Sequence, residues 1–148
     1  PSTAADLPAL ARIYGHAVLH GTGTFELDAP DEAEMTRRRD AVLANGLPWL
    51  VAEREGQVLG YAYANHFRPR RAYRFCVEDS IYLDERARGH GVGRVLLAEL
   101  LAQCTARGAR GRGAVACPRA PGCLAGTGIK TQCQQFPVSF CQFAASEA

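Results

Sequence analysis

Several things are scarce in this chain, and each scarcity excludes a class of protein. No stretch approaches the ~18 consecutive apolar residues of a membrane helix. The opening Pro1-Ser2-Thr3-Ala4-Ala5-Asp6-Leu7 has no basic segment leading into an apolar one, so neither a signal peptide nor a membrane partner is expected and a cytoplasmic location is. Pro1 stands where a Met would begin a chain, so a few N-terminal residues are expected to be missing or processed. Excess charge is lacking too: 17 Lys and Arg oppose 15 Asp and Glu, leaving a net charge of +2. That argues against a nucleic-acid coat protein or a polybasic membrane binder. Cysteine is nearly absent from the first hundred residues, where only Cys76 occurs, while Cys104, Cys117, Cys123, Cys133 and Cys141 crowd the remainder. With no C-x-x-C pair from Cys117 onward, neither a disulfide framework nor a metal site is expected. Internal repeats are missing.

What remains is ordinary for one folded domain: 148 residues, 47% hydrophobic and 22% charged. Asp6 followed by Leu7-Pro8 predicts an N-cap, a first-turn proline and a helix over about 6–20. A second helix is predicted from Asp31 to Ala44, with Met35, Val42 and Leu43 as its apolar side and Asn45-Gly46 as its stop. Trp49 to Glu53 and Gln57 to Ala64 predict a hairpin turning at Glu55-Gly56. Phe75 to Leu83 is the next strand. Its apolar run is interrupted by Glu78, Asp79 and Ser80, where a bulge or a functional group is expected. Val95 to Ala102 reads as an apolar helix.

The most informative segment is Arg88-Gly89-His90-Gly91-Val92-Gly93-Arg94, between that strand and that helix. Glycines there let successive N–H groups turn inward around an anion, and the helix N-terminus adds its positive dipole end, so a diphosphate fits. An ordinary glycine-rich turn is the plainer reading. The Gly-Lys-Ser/Thr ending of a P-loop is absent, and no early βαβ unit surrounds the glycines as a dinucleotide fold requires.

With Arg88, Gly91 and Gly93 in the order Arg-x-x-Gly-x-Gly, the chain resembles the GNAT superfamily of acetyl-CoA-dependent N-acetyltransferases. The resemblance narrows to the phosphinothricin and methionine sulfoximine acetyltransferase branch. Tyr14-Gly15-His16-Ala17-Val18-Leu19, Thr24-Phe25, Gly60-Tyr61-Ala62, Phe67-Arg68-Pro69-Arg70, Ala72-Tyr73-Arg74, Val77-Glu78 and Ser80-Ile81-Tyr82-Leu83 carry it, over about residues 3–108.

The resemblance implies an α/β protein with the GNAT acyl-CoA N-acyltransferase fold: a mixed, mostly antiparallel sheet flanked by helices, in a single domain spanning 1–148. It implies acetyl-CoA as cosubstrate, no metal, and Glu78 as the general base that removes a proton from an amine. A carboxylate on an apolar strand suits that task, since desolvation raises its pKa. The plainer alternative is a strand-edge carboxylate paired with Arg74 or another arginine. Backbone groups of Ile81, Tyr82 and Leu83 would hold the pantetheine arm and polarise the thioester, and Arg88, Gly89, His90, Gly91, Val92, Gly93 and Arg94 the diphosphate. Phe25, Arg68 and Arg74 would bind a small, acidic, amino-acid-like substrate. Homodimers are common in this branch, which makes a homodimer the assembly to expect.

Other readings exist for some of these residues. Arg68, Arg70, Arg71 and Arg74 with interleaved aromatics resemble a nucleic-acid patch, which the near-neutral chain disfavours. His16 and His20 lie four apart on the first helix but lack a third ligand. From Gly111 to Ala148 nothing resembles the family: no apolar fifth strand, no Asn and no Tyr after Tyr82 is present. Sixteen arginines against one lysine indicate GC-rich coding, and a frameshift near 108–112 would account for the Arg, Gly, Ala, Pro and Cys of the C-terminal part. On that reading one wall of the cofactor cleft is lost, and a non-catalytic acyl-CoA-binding or interaction domain is the alternative to an enzyme.

Overall fold

In the computed structural model, residues 1–21, 24, 26–68, 71–109 and the backbone of 111–113 are described. A 3₁₀ turn at Ala4–Asp6 runs directly into α1 (Leu7–His20), with Pro8 in its first turn where a missing N–H costs nothing. Asp6 does not cap α1 through its side chain, contrary to the sequence expectation. Its own backbone is already helical (φ −81°, ψ −20°), and its carboxylate reaches back to accept from the Thr3 amide at 2.6 Å and the Thr3 hydroxyl at 3.0 Å. The helix α2 (Glu32–Ala44) does start as the sequence indicates, with the Asp31 carboxylate accepting from the Glu34 amide at 2.8 Å. Met35 and Val42, seven residues apart, form its buried stripe. Leu43 lies a further 100° or so around the helix, so it is turned out, 39% exposed.

The strands β1 (Trp49–Arg54) and β2 (Gln57–His66) form the expected hairpin. Its turn places Glu55 (φ 54°) and Gly56 (φ 75°) both in the left-handed region, the twist a two-residue hairpin turn requires. β3 (Cys76–Leu83) pairs antiparallel with β2, without interruption from Gly60↔Leu83 to His66↔Val77. No bulge occurs at Glu78–Ser80. Asp79 and Ser80 continue the alternation as buried residues, and the one register shift lies in β1, between Ala52 and Glu53. At Gly60 an added Cβ would come within 2.5 Å of a Leu83 methyl and 2.7 Å of the Tyr82 carbonyl, so β2 and β3 approach closely only because that side chain is absent.

The helix α3 (Val92–Ala106) is longer at both ends than the apolar run suggests. It leads to β4 (Gly111–Gly113), which pairs in parallel with Cys76–Glu78. The sequence gives no sign of a strand here. Strand pairing uses backbone N–H and C=O groups, which need no apolar side chain, and the α3 crossover delivers these residues to the free side of β3. The residues from 114 on, with Cys117, Cys123, Cys133 and Cys141, lie outside the described part.

The sheet order is β1-β2-β3-β4. Its two faces are covered by different helices: Tyr14 of α1 meets Tyr82, while Gly93 of α3 lies against Leu83, the next residue along β3 and on the opposite face. Leu96, Leu100 and Cys104 repeat every four residues as the buried stripe of α3. Among the described residues, no helix is long and apolar enough to cross a membrane.

Candidate active site

Alternation along β3 assigns Glu78, Ser80 and Tyr82 to the face covered by α1, and the cross-strand register places Asn65, Tyr63 and Tyr61 beside them in turn. Glu78 is exposed on this face and forms no ion pair among the described residues. Partial desolvation raises its pKa above the ordinary glutamate value, and the positive charge of Arg68 pulls the other way. The plainer expectation of a carboxylate locked to Arg74 is not what the structure contains. Arg74 lies with its guanidinium 4.4 Å from the centre of the Phe75 ring and donates to the Arg71 carbonyl at 3.1 Å. Arg68 stacks on the Phe67 ring at 5.3 Å. Of the two arginines expected at the substrate, Arg68 therefore has its charge felt at Glu78 and Arg74 is engaged with its own loop. Phe25 falls outside the described residues.

Behind Glu78 lies a shelf of aromatic rings. Trp49 stacks on Tyr63 at 4.3 Å and Tyr61 on Tyr82 at 5.3 Å, and Tyr14 meets Tyr82 edge-on at 4.8 Å. Burial pushes the phenols of Tyr61, Tyr63 and Tyr82 up, so they stay protonated over the physiological range. For Tyr63 the Ser80 hydroxyl acts in the opposite sense. Tyr61 and Tyr82 are buried within this shelf, while Tyr63 is half-buried on the same face as Glu78.

The shelf is tied to the segment before α2. The Tyr14 hydroxyl donates to Glu26 Oε1 at 2.9 Å and lies 3.1 Å from Thr24 Oγ1, which accepts from the Glu26 amide at 3.2 Å. Arg38 of α2 grips both oxygens of Glu26 at 2.8 and 3.2 Å and also donates to Glu34 at 2.7 Å. Sequence reasoning missed Tyr14, Tyr63, Glu26 and Arg38 as parts of this site. Of the adjacent Arg37, Arg38 and Arg39, the first pairs locally with Glu34, and the fold takes the other two to Glu26 and Ser2.

On the other side of β3, pairing with β4 stops at Glu78. From Asp79 to Leu83 no strand pairs with that edge among the described residues. Ile81 and Tyr82 have buried side chains and Leu83 a half-buried one, so their backbone is the part a ligand along that edge would meet. The glycine loop follows at the end of β3. Gly89 (φ 78°) and Gly91 (φ 80°) are left-handed, with open space where a Cβ would stand, and Gly91 immediately precedes α3. Arg88, His90 and Arg94 are exposed, while Val92 and Gly93 are half-buried. His90 Nδ1 lies 2.8 Å from the Arg88 carbonyl, which folds the loop on itself. The arrangement brings Glu78, Ile81–Leu83 and the loop along one strand and its helix, as the sequence indicates.

A separate open cleft of about 830 Å³ lies between α1, the β1–β2 turn and residues 83–86. Within its lining Arg12 pairs with Asp84 at 2.8 Å and His16 Nε2 lies 3.5 Å from Glu85, and it contains neither Glu78 nor the glycine loop.

The acetyltransferase (GNAT) family model matches residues 16–119, beyond the point where periodicity fails. The chain is 58% identical over 99 residues to the phosphinothricin N-acetyltransferase of Alcaligenes faecalis, covering 67% of this chain and 50% of that one. It is 38% identical over 105 residues to an L-methionine sulfoximine/L-methionine sulfone acetyltransferase of Pseudomonas paraeruginosa, covering 70% and 61%. Among solved structures, a GNAT superfamily phosphinothricin acetyltransferase from Sinorhizobium meliloti in complex with AcCoA superposes with a TM-score of 0.75 at 52% identity, covering 77% of this chain and 62% of that one. The chain spans 50% to 61% of the length of these two curated relatives.

Proposed function

The chain belongs to the acetyltransferase (GNAT) family, and from that premise we propose that it transfers an acetyl group from acetyl-CoA to the α-amine of a small amino-acid-like substrate of the phosphinothricin or methionine sulfoximine type. The observation that carries this reading is Glu78: a carboxylate with a raised pKa and no ion pair among the described residues, on the same face of β3 as the tyrosine shelf and one residue before the stretch Asp79–Leu83 that β4 does not pair with. The likeness to acetyltransferases named for those substrates supports the acceptor class.

Acetyl-CoA suits the residues present. The open, left-handed Gly89 and Gly91 ahead of α3 leave room for a diphosphate beside the first amides of a helix, with Arg88 and Arg94 exposed nearby. The backbone of Ile81, Tyr82 and Leu83 would bind the pantetheine arm along the part of β3 that no strand pairs with among the described residues. Arg68, Arg74 and Phe25 are assigned to the acceptor.

Glu78 takes a proton from the substrate ammonium and frees the nitrogen lone pair. Nitrogen attacks the thioester carbonyl, an N–C bond forms, and backbone N–H groups of β3 stabilise the charge that develops on oxygen. Collapse breaks the C–S bond, and the remaining surplus proton on nitrogen ends on the CoA thiolate. One proton thus rests on Glu78 and one on CoA, and Glu78 returns its proton to solvent.

A second reading is a non-catalytic acyl-CoA-binding domain, for which the open, left-handed glycines ahead of α3 would be enough. Thiol release from acetyl-CoA, measured with and without phosphinothricin, tests the first reading, and calorimetric acetyl-CoA binding separates the second. Release that depends on both substrates is the expected result. Saturable binding without release favours the second reading, and neither binding nor release overturns both.

A further inference from the structure

We propose that Arg38, acting through Glu26, is a positioning residue for the acceptor half of the site. The inference rests on the acetyl-transfer reading and concerns residues outside the glycine loop and outside β3. The connections run in one direction through the fold. From α2, Arg38 holds both carboxylate oxygens of Glu26. Glu26 accepts the Tyr14 hydroxyl, and the Tyr14 ring rests edge-on against Tyr82, on the same face of β3 as Glu78. Arg38 also passes 5.8 Å from the Tyr14 ring centre, so it touches the chain of contacts twice.

The geometry matters because of where it acts. Tyr82 pairs across the strands with Tyr61 of β2 and is met edge-on by the Tyr14 ring, so Tyr14 is one of its direct supports. Thr24 and Glu26 belong to a connection that pairs with no strand among the described residues, and both are fixed through Tyr14 and Arg38. A guanidinium fork on a carboxylate sets direction as well as distance, and Arg38 is itself held by Glu34. The same contact therefore fixes the connection and the tyrosine shelf relative to Glu78.

The test compares Arg38→Met, Arg38→Lys, Glu26→Gln and the double variant Arg38→Met/Glu26→Gln with the unaltered chain. Met keeps the stem against Tyr14 and loses the fork. Phosphinothricin and acetyl-CoA dissociation constants are measured by calorimetry, each KM is measured where turnover occurs, and amide exchange is followed at Glu26, whose N–H donates to Thr24. For Arg38→Met the phosphinothricin constant rises about tenfold, the scale of one lost charge-assisted hydrogen bond. The acetyl-CoA constant stays within about twofold of the unaltered chain. Glu26 exchanges faster, Arg38→Lys recovers part of the loss, and the double variant is no worse than Arg38→Met, because the two residues act as one unit.

An unchanged phosphinothricin constant with unchanged Glu26 exchange overturns the inference. Equal weakening of both ligands also overturns it, since that is the mark of general destabilisation. A chain that binds phosphinothricin without turning it over refutes the acetyl-transfer reading and leaves the binding comparison to decide on Arg38. A chain that does not bind phosphinothricin at all overturns the positioning role as stated.

Discussion

The two faces of the sheet are built from different chemistry, and the difference separates what stabilises this protein from what it offers a substrate. Under α3 lie Leu50, Ala62, Ala64 and Ile81, meeting Leu96 and Leu100. Under α1 and α2 lie Trp49, Tyr61, Tyr63 and Tyr82, and Glu78 stands at the end of that row. The first face gains from close packing of aliphatic groups in a dry interior. The second buries rings of similar size yet keeps hydroxyls and a carboxylate on one surface, which costs desolvation and yields a site.

That contrast predicts where substitutions act. Leu100→Ala, at a fully buried position on the α3 side, is expected to cost about 2–5 kcal/mol of stability, because both transfer energy and cavity energy are lost. A denaturant midpoint read with the unaltered chain checks it, and a change under about 1 kcal/mol would show that this face is not the dry core described. Glu78→Gln, on the other face, is expected to leave the melting temperature and acetyl-CoA affinity nearly unchanged while lowering turnover about 100-fold or more. An unchanged rate removes Glu78 from the mechanism.

The same residue sets a pH dependence. On the general-base reading Glu78 acts when ionised, and its pKa is raised, so activity is expected to fall as pH drops through a value above the ordinary glutamate one. In stability the sign is reversed. A raised native pKa contributes stability that is present below the ordinary glutamate value and lost as pH rises through the shifted one. Glu78→Gln is expected to remove the Glu78 contribution to each, leaving those of groups such as Glu34 and Asp84, and measuring rate and melting temperature against pH in the two proteins checks the pair.

Smaller effects sharpen the comparison. Gly60→Ala forces a methyl into Leu83 and the Tyr82 carbonyl and is expected to cost about 1–3 kcal/mol by overpacking, visible as a lowered denaturant midpoint. Tyr61→Phe removes a fully buried hydroxyl that has no hydrogen-bond partner among the described residues, so stability is expected to stay within about 1 kcal/mol or to rise. A larger loss there would mean that the hydroxyl has a partner after all, and the α1 face would be more tightly specified than its orphaned atom indicates.

Local chemistry made much of this legible in advance. Asp31 before an acidic first turn, Glu55-Gly56 between two β-rich runs, and a four-residue apolar stripe in α3 each declare an element from a few neighbouring side chains. Asp6 misled because its turn is continuous with the helix, and an isolated capping rule sees only the residue and its successors. β4 was invisible because Gly111–Gly113 pairs through backbone alone, which leaves no hydrophobic signature.

By itself the sequence determined the order of the elements from α1 to α3, the glycine junction after β3 and the position of Glu78 on that strand, since all three depend on residues adjacent in the chain. Only the tertiary structure decided that Glu78 has no ion pair among the described residues, that Arg74 is occupied with its own loop while Arg68 acts on Glu78, and that Arg38, forty residues earlier in the sequence, anchors Glu26 and Tyr14 beneath the same face. Charges and hydroxyls choose partners by distance through space, and those distances are set when α1 and α2 fold across the sheet.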